Sequence, residues 1–543
     1  MFRTTHKLAI AISIVTISAF LFTLNIQRIS AAKTTDTQAD ILARASRTER
    51  NGWIYLHLEG PPEHIGFQHG WLLAREIDDA LRVFKKYLGR VTKRNWQFYR
   101  DAAHEMFWNK ISDEYQKEIQ GIARGAYSRG VKIDADDVLA MNGWMELAWY
   151  YVPSLQSARV DDPELHQSPP PACSAFVATG SWTRTGEIVI AHNTWMDYLI
   201  GRNWNIMVDL NPESGNRILM DSFPGFIHSG DDFYITGAGL IVTETTISDF
   251  KGFEPSGLPE FYRIRKAIQY SNSIDDWLRM MMDNPNGGYA NDWLVADRKT
   301  GEIARLENGI KNNIVERTKD GYFVGSNFPV HEKTIREETT FDPKNEKNGA
   351  NVRHQRWDEL MKANRGKIDI TLAKKFMGDH YDIVRKRNAG SANTLCGHVD
   401  LDELGAGGDW RSFYPGGASN SKATDSQLAS QMKMWAAVGH ACGTDFKLDA
   451  FLKAHPEYEW QREIAGDLPS GPWTIFSTTA VAPLGKDARF VPRGYKGDRQ
   501  EEKDPNNRRL DPNQKRRIPD DPAPPLPSEK RAPLPGDPRR PPQ

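Results

Sequence analysis

The chain has 543 residues, 39% hydrophobic and 26% charged, enough to bury a large core and, by length alone, to form more than one domain. Its net charge is -1, and its basic residues do not gather on a recognisable reading motif, so composition speaks against a nucleic-acid partner.

Residues 1–32 read as a targeting segment. Arg3 and Lys7 precede the apolar run Leu8 to Ile26, and Ser30-Ala31-Ala32 forms a small-residue cleavage pattern. Export is expected. The run approaches the ~20 residues needed to span a bilayer, so an uncleaved anchor over residues 8–26 is the alternative; Ser13, Thr16, Ser18, Thr23 and Asn25 dilute it and favour removal. In an oxidising compartment the three cysteines allow a Cys396 to Cys442 disulfide with Cys173 free, although spacing does not fix pairing. Three buried thiols is the other arrangement.

Residues 33–151 are expected to be mostly helical after a polar lead-in and a strand over 52–60. Leu73, Ile77, Leu81, Phe84 and Leu88 fall on one face of an amphipathic helix. Asp134 or Asp136 can cap a run from Val138 to Tyr150. His57, His64, His69 and His104 match no metal-binding spacing, and no metal or cofactor is expected. Residues 152–172 lose periodicity and read as an exposed, proline-bearing linker.

Pro169 to Tyr198 is the stretch that carries chemistry. Three prolines favour an extended approach to Cys173, which opens an alternating run to Thr179. A turn at Thr185-Gly186 then returns the chain as Ile188 to Asn193. This β-hairpin brings Cys173 near the cluster His192-Asn193-Thr194-Trp195. A cysteine there suggests a nucleophile made by cutting the chain between Ala172 and Cys173. The freed α-amine, with a pKa near ~8, can take the thiol proton while sulfur attacks a carbonyl. The plainer reading is a buried small hydrophobe.

From Cys173 onward the pattern is β-rich. Short strands are expected at 206–210, 217–221, 233–236 and 240–246, with helices at 259–270 and 274–282 and a hairpin over 293–306. Helices are also expected at Leu372 to Met377 and Ser426 to Trp435, and a strand at Trp473 to Ala480. Residues 173–487 form the expected core, and the proline-rich, charged tail 488–543 cannot order itself.

The segments CSAFVATG from Cys173, AHNTWMDY from Ala191, SFPGFIHSGDDFYITGAGLIVTETTI from Ser222 and GGYANDWLVAD from Gly287 resemble the phospholipase B-like family. Gly66 to Ile77 is similar to the wider group of self-processing acyltransferases and amide hydrolases with an N-terminal cysteine. The resemblance implies an α+β fold of the N-terminal-nucleophile hydrolase type, a four-layer αββα sandwich. It also implies self-cleavage before Cys173 and an amide or ester bond as target. His192 and Trp195 are then expected to line the site, with alternation choosing between His192 and Asn193. This departs from the arginine that the broader cysteine-hydrolase group often carries there.

Two further residues are candidates on their own chemistry. Asn291 can donate its amide to a developing oxyanion, or it is a turn asparagine. Thr245 can reach the nucleophile from an adjacent strand and orient it. Gly230-Asp231-Asp232 reads above all as a turn. Ser248-x-x-Lys251 and Lys299-Thr300-Gly301 imitate β-lactam-type serine motifs by chance, and Asp400-x-Asp402 lacks the ligands of a calcium loop.

The function expected is an exported cysteine hydrolase cleaving amide bonds of N-acylated lipids, small molecules or peptides. Its partners are that acyl substrate and transient contact with a membrane surface. The alternatives are an ester hydrolase that removes fatty acids from phospholipids, and an inert binding protein on the same fold. Oligomeric state is not legible.

Overall fold

The computed structural model describes residues 36–156, 173–231, 233–405 and 411–478. The targeting run, Ala172 with most of the linker, Asp232 and the proline-rich tail lie outside the described residues. The chain divides into two units, residues 1–43 and 44–543. In the first, a short helix, Gln38–Leu42, opens on a capping box in which Thr37 Oγ1 accepts from Asp40 N at 3.2 Å.

The second unit is built on two sheets. The larger is ordered Ser46–Arg50 (β1), Trp53–Gly60 (β2), Ile206–Pro212 (β5), Ile218–Ser222 (β6), Phe233–Thr236 (β7), Leu240–Thr246 (β8), Asn291–Asp297 (β9), Glu302–Asn308 (β10) and Asn313–Thr318 (β11). The smaller is ordered Gly321–Gly325 (β12), Ser174–Thr179 (β3), Val189–Asp197 (β4), Gly416–Asp425 (β15), Lys433–Val438 (β16) and Thr474–Ser477 (β17). Tyr381–Asp382 (β13) and Arg387–Asn388 (β14) form a separate small hairpin. Within the two main sheets β2 and β5 run parallel and the other pairs antiparallel.

Three apolar clusters give the layering. Trp53, Met207, Leu219, Ile235, Ile241 and Leu294 of the larger sheet meet Ala175, Val177, Ile190, Ala436 and Phe476 of the smaller one, so the sheets pack face to face. The outer face of the larger sheet, through Leu56, Val208, Met220, Val242, Val295 and Leu306, carries the helices between residues 62 and 151 and those at 260–281. The outer face of the smaller sheet, through Phe176, Val189, Ala191 and Val324, carries the helices Gly349–Ala363 and Ile370–Met377. This is the expected αββα order.

The N-terminal helices are bound tightly into that arrangement. Pro62–Leu72 and Asp113–Tyr127 cross backbone to backbone: a Cβ on Gly66 would stand 2.0 Å from the Glu118 carbonyl oxygen, and one on Gly70 2.0 Å from that of Ile122. Only glycine permits this approach. Asp134 caps Ala135–Asn142 as expected, but the helix read from Val138 to Tyr150 breaks at Gly143, where Phe107 Cε2 lies 2.5 Å from a notional Cβ, and resumes at Trp144–Glu146 before a π turn over Leu147–Tyr151.

The expected helix over Ser426–Trp435 is corrected in the same way. Only Ser426–Ser430 is helical; Met432 takes φ 49°, which ends the helix, and the chain continues as β16. Met434, Ala436 and Val438 alternate into the inter-sheet core.

Candidate active site

The hairpin of β3 and β4 sets the register of the site. Ser174 pairs with Asn193 and Ala175 with His192, while on the other side of β4 Lys422 of β15 pairs with His192 and Ser421 with Asn193. Cys173 therefore enters the sheet beside the end of β4 that carries His192 to Trp195. Among the described residues the thiol of Cys173, the ring of His192 and the carboxylate of Glu244 lie within 4.8 Å of one another, all three buried.

Strand alternation separates His192 from Asn193. Asn193 points into the layer under the helices, where its amide donates to the carbonyls of Met377 at 2.8 Å and Leu395 at 2.9 Å and its oxygen accepts from Ser421 Oγ at 2.5 Å. It is fully engaged away from Cys173. His192 faces Cys173, with Nδ1 3.5 Å from Thr194 Oγ1.

Cys173 is buried, and its backbone takes φ 93°, a conformation unfavourable for a residue with a Cβ. Burial, then the charge of Glu244, push its thiol well up; the backbone N–H of Trp195 and the ammonium of Lys422 oppose this, and Asp231 adds to it. The thiol is thus protonated in the uncut chain. Burial and then Lys422 push His192 well down, so its imidazole is neutral.

Arg353, from the N-terminal part of the helix Gly349–Ala363, donates to the carbonyl oxygen of Cys173 and to Ser174 Oγ at 3.2 Å. Its other terminal nitrogen donates to Asn327 Oδ1 at 3.0 Å, and its guanidinium carbon sits 4.5 Å from the centre of the Trp195 ring. Burial pushes Arg353 down to about 9, opposed by Cys173. Asn327 in turn donates its backbone N–H to Thr245 Oγ1 at 3.4 Å and its amide to the Thr246 carbonyl at 2.9 Å. Thr245 therefore connects to Cys173 through Asn327 and Arg353. An arginine does serve this site, but it comes from residue 353 and not from the hairpin.

A buried ionic group closes the opposite side. Lys422 Nζ lies 2.9 Å from Asp221 and 3.1 Å from Asp231, and donates to Thr194 Oγ1 at 2.6 Å and Asn420 Oδ1 at 2.7 Å. Thr194 Oγ1 donates to Asp231 at 2.6 Å. Burial and then the neighbouring Asp231 push Asp221 well up, whereas Lys422 holds Asp231 below its usual range against burial. One cation, one carboxylate and one carboxylic acid make a neutral group. Ser229 Oγ lies 3.0 Å from Asp221 and 2.8 Å from Asp231, and a protonated Asp221 donating to it leaves the hydroxyl proton for Asp231. Asp231 is accordingly a buried charge in the bend between β6 and β7, in keeping with the turn expected there.

Asn291 opens β9 beside Thr246, on the sheet face it shares with Glu244 and Trp293. Both its amide atoms are buried and without a hydrogen-bond partner among the described residues. A buried amide left this way carries a cost of about 1–3 kcal/mol, and a ligand that supplies the partner recovers it.

Sequence reasoning missed Arg353 and Lys422. Arg353 lies in NVRHQRW, where its charge is indistinguishable from that of a solvated helix face. Lys422 lies in GGASNSKATD, small and polar residues with no apolar alternation to mark a central strand. Nothing local signals either.

Over 423 residues the chain is 24% identical to phospholipase B-like 1 of Bos taurus, covering 69% of this chain and 75% of that one. Over 282 residues it is 26% identical to phospholipase B-like 1 of Rattus norvegicus, covering 47% of this chain and 49% of the relative. The chain thus spans about half the length of the rat protein and three quarters of the bovine one. Penicillin V acylase from Agrobacterium tumefaciens aligns with a TM-score of 0.29 at 12% identity, covering 49% of this chain and 83% of that one. The model of the phospholipase B family matches residues 72–469, most of the chain and all of the site just described, and the chain belongs to that family.

Proposed function

We propose that this protein is an exported, self-processing acyl hydrolase whose nucleophile is Cys173 and whose substrates are N-acylated lipids, small molecules or peptides cleaved at the amide bond. The observation that carries the reading is the setting of Cys173: immediately before β3, backbone at φ 93°, carbonyl held by Arg353, thiol beside His192 and Glu244. An N-terminal residue has no φ, so cutting before Cys173 releases that strain.

In the uncut chain the thiol proton passes to neutral His192 and sulfur attacks the Ala172 carbonyl carbon. The peptide nitrogen leaves with a proton as the new α-amine of Cys173, and water hydrolyses the thioester left on Ala172. In the mature enzyme the α-amine takes the thiol proton, sulfur adds to the substrate carbonyl, and Asn291 donates to the oxygen that becomes anionic. Collapse expels the substrate amine, which receives the proton from the α-ammonium. Water then attacks the acyl-thioester, giving the carboxylic acid and restoring the thiol. A phospholipid ester in place of the amide is the second reading, favoured by the family's name.

The test compares purified protein with Cys173→Ala by intact mass and N-terminal sequencing, followed by a panel of N-acyl amides and phospholipid esters. A fragment beginning at Cys173 in the wild type alone, with acid release from the amides, is expected. An uncut wild type that turns over neither class leaves a binding protein.

A further inference from the structure

Away from Cys173, three loops bring His380, Cys396, His398 and Cys442 together. Their ligand atoms all lie within 4.8 Å of one another. His380 follows the helix Ile370–Met377, Cys396 and His398 precede a 3-10 turn at Val399–Leu401, and Cys442 follows β16. We propose that these four side chains form a structural zinc site of the Cys2His2 type.

Two thiols and two imidazoles are the borderline-soft ligands that zinc takes in closed, four-coordinate sites. The geometry agrees: with Zn–S near 2.3 Å and Zn–N near 2.0–2.1 Å, a tetrahedron has S···N edges of roughly 3.5 Å and N···N edges of roughly 3.3 Å. Cys396 Sγ and Cys442 Sγ each lie 3.6 Å from His398 Nε2, and His380 Nε2 lies 3.0 Å from the same atom. These three separations from His398 are close to tetrahedral edge lengths, and all four donors fall within 4.8 Å of one another, a spacing that a cation between them satisfies. Two imidazole nitrogens 3.0 Å apart need a proton on at least one, whereas a metal uses the lone pair of both.

The surroundings act as an outer shell. His398 Nδ1 stands 3.9 Å from Asp400 Oδ1, and that carboxylate accepts from Tyr198 OH at 2.8 Å. At 3.9 Å Asp400 is an electrostatic neighbour of His398 and not a hydrogen-bond partner. His440 stacks on His398 at 3.9 Å but is itself engaged at both nitrogens, 2.9 Å from Tyr198 OH and 3.0 Å from the Thr444 carbonyl. It supports the site and does not complete it. Cys396 is buried and Cys442 is at the surface, so an ion has a way in.

The site also has something to brace. Gly397, between two of the ligands, packs so closely on Trp195 that a Cβ would fall 2.0 Å from Cζ2. Trp195 is the ring under Arg353. Zinc would fix the 396–398 loop, and with it the platform on which Arg353 lies.

The experiment is metal analysis of the full-length protein equilibrated with zinc and then dialysed, alongside Cys442→Ser and His380→Ala, with intact mass and thiol counting on the same samples. About one zinc per chain in the wild type and a loss of at least tenfold in affinity in either variant are expected. Cobalt in place of zinc should give tetrahedral d–d bands and a thiolate-to-cobalt charge-transfer band, and this wild-type measurement decides the matter if the variants do not fold. A wild type that retains no metal, a Cys396 to Cys442 disulfide, or bound zinc without a cobalt–thiolate band would overturn the proposal.

Discussion

Arg353 donates a hydrogen bond to the backbone carbonyl of Cys173, 180 positions earlier in the chain. Its acceptors are neutral oxygens of Cys173, Ser174 and Asn327, and its face rests on Trp195. A buried cation held by neutral groups stabilises negative charge that develops beside it, on the thiolate or on the tetrahedral oxygen.

Replacing Arg353 with Lys keeps the charge but loses the fork geometry and the stacking on Trp195. A hydrogen bond from a charged group is worth about 1.5–3 kcal/mol, so kcat/KM and the rate of cutting before Cys173 are each expected to fall roughly 10- to 100-fold. Intact-mass time courses and steady-state kinetics read both. Unchanged rates would mean that Arg353 only packs.

Asn291→Ala removes the side-chain amide that has no partner among the described residues. Loss of an oxyanion donor costs ~10²–10³ in kcat, with KM little changed because the interaction forms only in the transition state. A variant with wild-type kcat would assign Asn291 to structure alone, and the denaturation midpoint, expected to hold or rise, supports the same distinction.

Lys422→Met leaves Asp231 buried without its cation. Breaking a buried pair from one side destabilises by about 3–5 kcal/mol. Adding Asp231→Asn removes the orphaned charge and is expected to restore a large part of that loss. Urea unfolding of the two variants tests this, and equal instability in both would show that the charge is not the cause.

Burial pushes Glu146 and Asp292 up to about 7 and Glu307 up to about 8. An acid whose folded pKa is raised binds its proton more tightly when folded, so stability is highest at acidic pH and declines as pH rises from the unfolded value toward the folded one. The protein is expected to be most stable near pH 5 and to lose several kcal/mol by pH 8, on the order of 1–3 per group. Glu146→Gln should flatten the decline between the ordinary value of 4.5 and about 7. A melting temperature that rises with pH across that range contradicts the assignment.

Local sequence determined the strands that alternate, the caps and the hairpin. Cys173 leads into β3, and His192 and Trp195 lie on β4, the next strand in the chain, so period-two alternation and a local connection over residues 180–188 were enough to bring them to one place. Asp134 capped its helix because a carboxylate before an apolar run satisfies the free N–H groups wherever that helix packs. The order of strands and helices indicated an α+β fold, and the αββα layering came from the family resemblance alone.

Tertiary structure decided what depended on distant partners. Whether His192 or Asn193 faces Cys173 was set by the carbonyls of Met377 and Leu395. Arg353, Lys422 and the His380, Cys396, His398 and Cys442 cluster join loops and strands tens to hundreds of residues apart. A charged or ligating side chain has the same local pattern whether it meets water or a buried partner, because that pattern records backbone propensity and apolar periodicity. Which partner it meets is fixed only when the two sheets close on each other.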